Sequence, residues 1–397
     1  MLICVDSERL TLKYIQTMKK ILVIEPAGKL YGSEMVLWDI LKNKQTEDIV
    51  YSVVLPPDSE FTHELNKINV QAIEILDIHR GIIRKIFSYL RLFWYVRKNN
   101  IDLLFINQAG ILRSIAQIAT RTQTPIVCQV SILEDCPWLN NLNESYYKPV
   151  KSFICNSNFI ASQLKVPDRK KSTLYYGYHW RNIRPEVRTS ETPFHIVLLG
   201  RISESKGHFL LVKAIRDLKS RGVTNLKVFF VGAAPSLEVD QQIRQEISTA
   251  GLEDYFVFRG FQRDIEKELS DKNLMVIPSL KEPFGRIFCE SAEAGLPIIT
   301  ADSGGLGELS RKFNLGLRFE GNNHVDLASK IEYAMQNYQS VKREFEQQST
   351  NMLNSLNMEK YIEVVETILK SALENKDSSC TWLGEKSQID KATLLHS

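Results

Sequence analysis

Long apolar runs are missing from this sequence: none approaches the roughly 18 residues that a membrane-crossing helix needs. The opening MLICVDSERLTLKY lacks the apolar core of a signal peptide, because Asp6 and Glu8 interrupt it. Residues 1–17 are therefore expected to be an upstream extension or a loose arm. Cysteine pairing is missing too. The six cysteines, Cys4, Cys128, Cys136, Cys155, Cys289 and Cys380, form no C-x-x-C pair, and no histidine pair sits near a cysteine pair. That argues against a disulfide framework and a structural zinc site, and a reduced cytosolic protein fits best. Charge is nearly balanced: 50 Lys and Arg against 47 Asp and Glu leave a net +3, too little to argue for nucleic acid. With 44 % hydrophobic and 24 % charged residues, the composition excludes disorder or a collagen-like repeat along the whole chain. A length of 397 residues leaves room for two to three domains.

Short runs rich in β-branched residues alternate with stretches of helical spacing. KILVIE (20–25) reads as a buried parallel strand. A turn with Gly28 and Gly32 follows, then SEMVLWDILKN, in which Met35, Leu37, Trp38 and Leu41 recur at helical intervals and Ser33 is the N-cap candidate. Strand-like runs recur at 50–55, 72–75, 103–107, 126–130 and 152–155. Residues 181–194 carry two prolines and no apolar period, as an interdomain linker would. The rhythm restarts with HIVLLG (195–200), KVFFVG (227–232), FVFRGF (256–261), LMVIP (274–278) and PIITA (297–301). The pattern predicts an α/β protein with two open, doubly wound parallel sheets. MEKYIEVVETILKSAL, from Met358, is helical again. The polar tail from Asn375, with a stray Trp382, is expected to fray, the alternative being a partner-binding segment.

Three segments carry candidate chemistry. A strand ends at Gly200-Arg201, and a helix begins after Lys206-Gly207. Open α/β sheets bind ligands beyond the carboxyl ends of their strands, and a helix N-terminus favours anions. A guanidinium and an ammonium there make a diphosphate clamp; the alternative is an ordinary basic surface loop. In the segment Glu282 to Glu290, EPFGRIFCE, Pro283 suits the first turn of a helix, with Glu282 just before it and Glu290 inside. A fully helical segment would set the two carboxylates roughly 12 Å apart. They could hold two ends of one extended ligand but not act as one close pair. The amides of Phe284, Gly285, Arg286 and Ile287 would face an anion, Gly285 allowing close approach; the bland alternative is a solvated acidic helix start. Gly304 and Gly305 make a further turn at a strand end.

Taken in order, GRISESKG (200–207), FVFRGF (256–261) and VIPSLKEPFGRIFCESAEAGLPIITADSGGLGEL (276–309) resemble the landmarks of the retaining glycosyltransferases of family 4, the glycosyl transferases group 1. KILVIEPAGKLYGSEM (20–35) and FICNSNFIASQL (153–164) add a looser match, and the resemblance covers about residues 19–374. It implies the GT-B fold, with two Rossmann-like doubly wound domains facing a central cleft. The acceptor-side domain would span 19–183 and the nucleotide-sugar domain 194–357. A C-terminal helix at 358–374 would cross back to the first domain, with loose extensions at 1–18 and 375–397. The implied reaction is metal-independent, retaining transfer of a sugar from a UDP- or GDP-linked donor. The acceptor would be a hydroxyl of a saccharide or lipid-linked saccharide in surface polysaccharide biosynthesis. No cofactor is implied, and cationic side chains and helix dipoles replace a metal. Arg201 and Lys206 would bind the diphosphate, Glu290 the ribose hydroxyls, and Glu282 the transferred sugar, helped by the backbone from Phe284 to Ile287. Gly32 would approach the sugar phosphate, and Arg259 to Phe261 would line the base. One position departs from the family: Ser131 stands where many members carry a histidine near the transferred sugar. A serine can hydrogen-bond a sugar hydroxyl but holds no positive charge.

Residues 79–98, HRGIIRKIFSYLRLFWYVRK, mix six basic residues with aromatics, and Ile83, Ile86, Leu90, Phe93 and Trp94 follow helical spacing. Either this is a packed helix with a core face, or it sits on an anionic membrane surface, giving a cytoplasmic protein held peripherally at the inner face. Two rivals to the enzyme reading are a non-catalytic GT-B scaffold, supported by Ser131, and an epimerase acting on the nucleotide sugar alone.

Overall fold

The computed structural model describes residues 18–29, 32–78, 80–180 and 193–383. The expected arm at 1–17 and most of the expected linker lie outside them. The chain forms two compact units, one running to Gly177 and resuming at Leu356, the other from Tyr178 to Ser355.

The first unit is an eight-stranded parallel sheet. Its elements begin β1 (Lys19–Ile24), α1 (Gly32–Lys42), β2 (Ile49–Leu55), α2 (Glu60–Lys67), β3 (Gln71–Glu74), α3 (Ile82–Lys98) and β4 (Leu103–Ile106). They continue α4 (Leu112–Thr122), β5 (Ile126–Val130), α5 (Asp135–Asn140), β6 (Val150–Cys155), α6 (Asn158–Gln163) and β7 (Lys171–Leu174). The apolar runs of β1, β4 and β5 are buried on both faces, as parallel strands covered by helices must be. With the short strand β14 (Thr381–Trp382) at its edge, the strand order is β14-β7-β6-β5-β4-β1-β2-β3, so its direction of winding reverses between β1 and β4.

The second unit carries β8 (Phe194–Leu199), α7 (His208–Ser220), β9 (Leu226–Val231), α8 (Leu237–Thr249), β10 (Phe256–Gly260), α9 (Ile265–Ser270) and β11 (Leu274–Ile277). It closes with α10 (Arg286–Glu293), β12 (Ile298–Ala301), α11 (Gly304–Phe313), β13 (Leu317–Phe319), α12 (His324–Gln336) and α13 (Tyr338–Ser355). Its parallel order, β10-β9-β8-β11-β12-β13, reverses between β8 and β11. Two Rossmann-like parallel-sheet units are the GT-B architecture that the sequence led us to expect.

Helix α14 (Met358–Leu373) returns to the first unit and packs on β4, β5 and β6. Met358, Tyr361, Ile362, Val365 and Leu369 give it an inward stripe, and the Asn357 side chain caps its start by accepting from the Lys360 N–H. Glu366, also buried, accepts the Gln45 N–H at 2.8 Å, so the helix is bound by polar contacts as well. Residues 384–397 of the expected loose tail lie outside the described residues, but its described part corrects the expectation. Residues Thr381–Trp382 form β14, a parallel edge strand on β7, with the Tyr175 N–H donating to the Trp382 carbonyl at 3.0 Å. Trp382 is fully buried against Tyr361. Residues 375–383 are thus docked structure rather than a frayed end.

Candidate functional site

Ligands of open α/β sheets sit where the strand order reverses, beyond the carboxyl ends of the two strands concerned. In the second unit those strands are β8 and β11, and the loops that leave them hold Lys206 and Glu282. The structure brings these two together: the Lys206 ammonium donates to Glu282 Oε2 at 2.5 Å, both side chains being partly exposed.

Local chemistry holds each loop. After β8 the chain turns so that the Gly207 N–H reaches the Glu204 carbonyl at 2.8 Å, and the Lys206 N–H reaches Ser203 Oγ at 3.3 Å. Gly207 has φ +79, and a Cβ there would lie 2.6 Å from Pro278, so only glycine fits. His208, the first residue of α7, is buried with its Nδ1 at the Ser203 backbone. Burial pulls its imidazole down to about 4, so it stays neutral and acts as an anchor for the loop. Arg201 is exposed just past β8.

Beyond β11, the Gly305 N–H donates to the Glu282 carbonyl at 2.8 Å, and Ser303 Oγ donates to the Leu280 carbonyl at 2.9 Å. A side chain at Gly305 would overlap the Pro283 carbonyl, so Gly304-Gly305 is needed to let α11 press against the Glu282 loop. Helix α10 starts later than the sequence suggested. Gly285, at φ +101, is its N-cap, and Pro283 belongs to the preceding loop. Phe284 is buried, fixing the turn, while Arg286, Ile287 and Glu290 are half-buried. The Arg286 guanidinium lies 4.0 Å from Glu290 and 5.6 Å from the Tyr178 ring.

At the other end of the sheet, Arg259 and Phe261 lie at the end of β10, its edge strand. Arg259, its side chain 45 % exposed, makes a bidentate pair with buried Glu268, at 2.9 and 3.2 Å. Phe261 is 72 % exposed. The three strand ends there are joined by glycines: the Gly232 N–H donates to the Gly260 carbonyl at 2.8 Å, and a Cβ on Gly232 would overlap the Gly200 carbonyl. Gly232, visible as the last residue of KVFFVG, and His208 are site residues that the motif reading passed over.

Gly32 and Ser131 belong to the first unit. Gly32 opens α1, and Ser131 follows β5. Ser131 Oγ accepts the Tyr176 hydroxyl at 2.7 Å and the Gln129 amide at 3.1 Å. The serine is thus built into a polar network rather than simply replacing a base. The reversal point of this sheet, between β1 and β4, holds another cluster not anticipated. Gln108 Nε2 bridges two buried carboxylates, Glu34 at 2.7 Å and Glu25 at 3.1 Å. Asn107 Nδ2 and the Ala27 N–H also donate to Glu25, at 2.6 and 2.7 Å. Burial, with the Glu34 charge behind it, pushes Glu25 up to about 7. The signal available in the sequence was a glutamate closing the strand KILVIE. Among the described residues, no group of three or more His, Cys, Asp or Glu side chains is set to hold a metal ion.

The class that this fold defines is GT-B. Solved structures agree over nearly the whole chain: Anabaena Alr3699/HepE in complex with UDP-glucose matches with a TM-score of 0.74 at 19 % identity, covering 89 % of this chain and 99 % of that one. TarM matches with a TM-score of 0.69 at 13 % identity over 89 % of this chain and 99 % of that one. In sequence, residues 181–352 match the family Glycosyl transferases group 1. The D-inositol 3-phosphate glycosyltransferase of Arthrobacter sp. (strain FB24) is 30 % identical over 38 % of this chain and 36 % of its own length. The lipopolysaccharide core biosynthesis glycosyltransferase LpsD of Rhizobium meliloti (strain 1021) is 26 % identical over 47 % of this chain and 54 % of its own length. The matched stretches therefore span about a third to a half of these relatives.

Proposed function

We propose that this chain is a retaining glycosyltransferase. It takes a sugar from a UDP- or GDP-linked donor and passes it to a hydroxyl of a saccharide or lipid-linked saccharide in surface polysaccharide assembly. The observation that carries the reading is the Lys206–Glu282 pair at the reversal point of the second sheet, 2.5 Å apart and reachable from solvent. The match of residues 181–352 to the glycosyl transferases group 1 family supports it.

The chemical difficulty is charge separation. The bond from the anomeric carbon to the donor phosphate breaks, the electron pair leaves with the diphosphate, and the sugar becomes oxocarbenium-like. Lys206 and Arg201 supply positive charge where the diphosphate gains negative charge, and fixed charges of this kind lower such a barrier without reorganising. Before the donor binds, Glu282 holds the Lys206 ammonium. With donor bound, the ammonium turns to the diphosphate, and the released carboxylate accepts a hydroxyl of the transferred sugar. The N–H groups at the start of α10 face the same anion. Glu290, one turn further in, accepts the ribose hydroxyls. Phe261, exposed at the end of β10, is available to stack on the base. Metal ions are not part of this scheme.

The second reading, a non-catalytic nucleotide-sugar binder, draws on Ser131, whose hydroxyl already accepts two hydrogen bonds. Incubating the chain with UDP- and GDP-sugars and saccharide acceptors separates the two. We expect release of the nucleoside diphosphate and a product whose anomeric configuration, read by proton NMR, equals that of the donor. Donor binding without turnover on any acceptor would favour the binder, and an inverted product would remove the retaining assignment.

A further inference from the structure

Helix α3 (Ile82–Lys98) turns its large apolar side chains away from the protein. Its inward face is Ser88, Leu92 and Val96, spaced four apart, with Tyr89, Phe93 and Tyr95 half-buried beside them. Ile83, Phe87, Leu90 and Trp94, at intervals of three and four, form a second stripe on the opposite side. Ile83 is 67 % and Trp94 63 % exposed, and Ile82 and Ile86 extend the stripe. This corrects the reading of a core face: of the residues in that periodic set, only Phe93 packs inward.

Six exposed Ile, Leu, Phe and Trp side chains lie along about 18 Å of helix. Apolar residues scattered singly over a surface need no explanation, but a contiguous stripe does. The charge beside it narrows the choice of partner. The helix has no carboxylate. Arg84, Arg91 and Lys98, seven residues apart, run down one flank of the stripe, and Arg97 stands at its end. Arg84 is paired with Asp77 at 3.3 Å and Arg80 with Asp58 at 3.5 Å. Arg91, Arg97 and Lys98 make no ion pair among the described residues. A two-fold contact with a second copy would face these cations with themselves. Spanning is excluded by length and charge, since no described helix is long and apolar enough to cross a membrane.

We propose that α3 lies flat on an anionic phospholipid surface. The Ile83, Phe87, Leu90 and Trp94 side chains enter the boundary between headgroups and acyl chains, while Arg91, Arg97 and Lys98 meet the lipid phosphates. Amphipathic helices with an apolar face carrying tryptophan and a basic polar face bind membranes in this way. The surface rests on α3 alone, so it stands or falls separately from the transferase reading.

Co-sedimentation of the full chain with vesicles tests it. We expect binding to vesicles containing phosphatidylglycerol, little binding to pure phosphatidylcholine, and weakening as salt is added. Each basic residue near such a surface contributes about fivefold in affinity, so Arg91→Glu with Lys98→Glu should weaken binding by tenfold or more. Phe87→Ser with Trp94→Ser should do the same, with unchanged thermal unfolding because both side chains are exposed. Brominated lipids should quench the parent's tryptophan fluorescence more than that of Trp94→Phe. No binding to anionic vesicles, or binding that survives both double variants, overturns the proposal. So does a concentration-dependent dimer, abolished by the Phe87 and Trp94 changes, in a chain that ignores vesicles.

Discussion

Removing the Lys206 ammonium separates a structural contact from a working one. In the free protein Lys206 and Glu282 meet at 2.5 Å, with 31 % and 22 % of their side chains exposed. A partly solvated pair of this kind contributes about 0.5–1 kcal/mol to folding. The transferase reading gives the same ammonium a larger part, because it meets the leaving diphosphate where negative charge develops. Loss of one such preorganised donor costs about 2–4 kcal/mol. That corresponds to a fall of about 30- to 1000-fold in kcat/KM for the donor. Lys206→Ala, Glu282→Gln and the double variant form a cycle that can be read twice, by urea unfolding for stability and by nucleoside diphosphate release for catalysis. The expected result is a coupling of about 0.5–1 kcal/mol in unfolding and a fall of about 30-fold or more in kcat/KM. Lys206→Ala with donor kinetics within about threefold of the parent would refute the diphosphate assignment, since that is under 1 kcal/mol.

Three further outcomes follow from the structure. Glu25 is buried with its carboxyl raised from 4.5 to about 7, so its contribution to stability is full below pH 4.5 and is lost as the pH rises through 7. That is a loss of about 3 kcal/mol; Glu25→Gln should flatten the decline in urea-derived stability between pH 5 and 8, and an unchanged slope would contradict the assignment. A methyl group at Gly232 would overlap the Gly200 carbonyl at a φ of +147, so Gly232→Ala should cost about 2–4 kcal/mol and weaken nucleotide binding through the neighbouring Arg201; a stable, fully binding variant would show the strand ends to be more yielding than described. Trp382→Ala should destabilise the first unit by about 3 kcal/mol, as loss of a buried aromatic does, whereas a frayed tail would register under about 0.5 kcal/mol.

Much of the architecture was legible because parallel strands covered on both faces are continuous apolar runs. Ile126–Val130 and the helix from Met358 to Leu373 have the bounds that their patterns suggested. Strand β7, Lys171–Leu174, was missed because KSTL carries no apolar run and owes its strand form to its neighbours β6 and β14. Trp382 looked stray for the same reason: a two-residue strand has no period of its own. Lys206 and Glu282, 76 residues apart, were each legible as ends of strands, and their contact needed the order β8-β11. Arg259 shows the limit of a motif, since its partner Glu268 lies outside FVFRGF. The periodic set on α3 gave the helix but not its direction, because a stripe facing water and one facing a core share the same spacing.

The central claim is tested most directly by thermal unfolding in the presence of UDP, GDP and ADP, with Glu290→Ala measured beside the parent. A nucleotide at 100 times its Kd adds about 2.7 kcal/mol to the stability of the unit that binds it, a rise in Tm of about 5–10 °C for a unit of this size. The account predicts such a rise with UDP or GDP and its loss in Glu290→Ala. No rise with any nucleotide, or a rise that Glu290→Ala leaves intact, would contradict it.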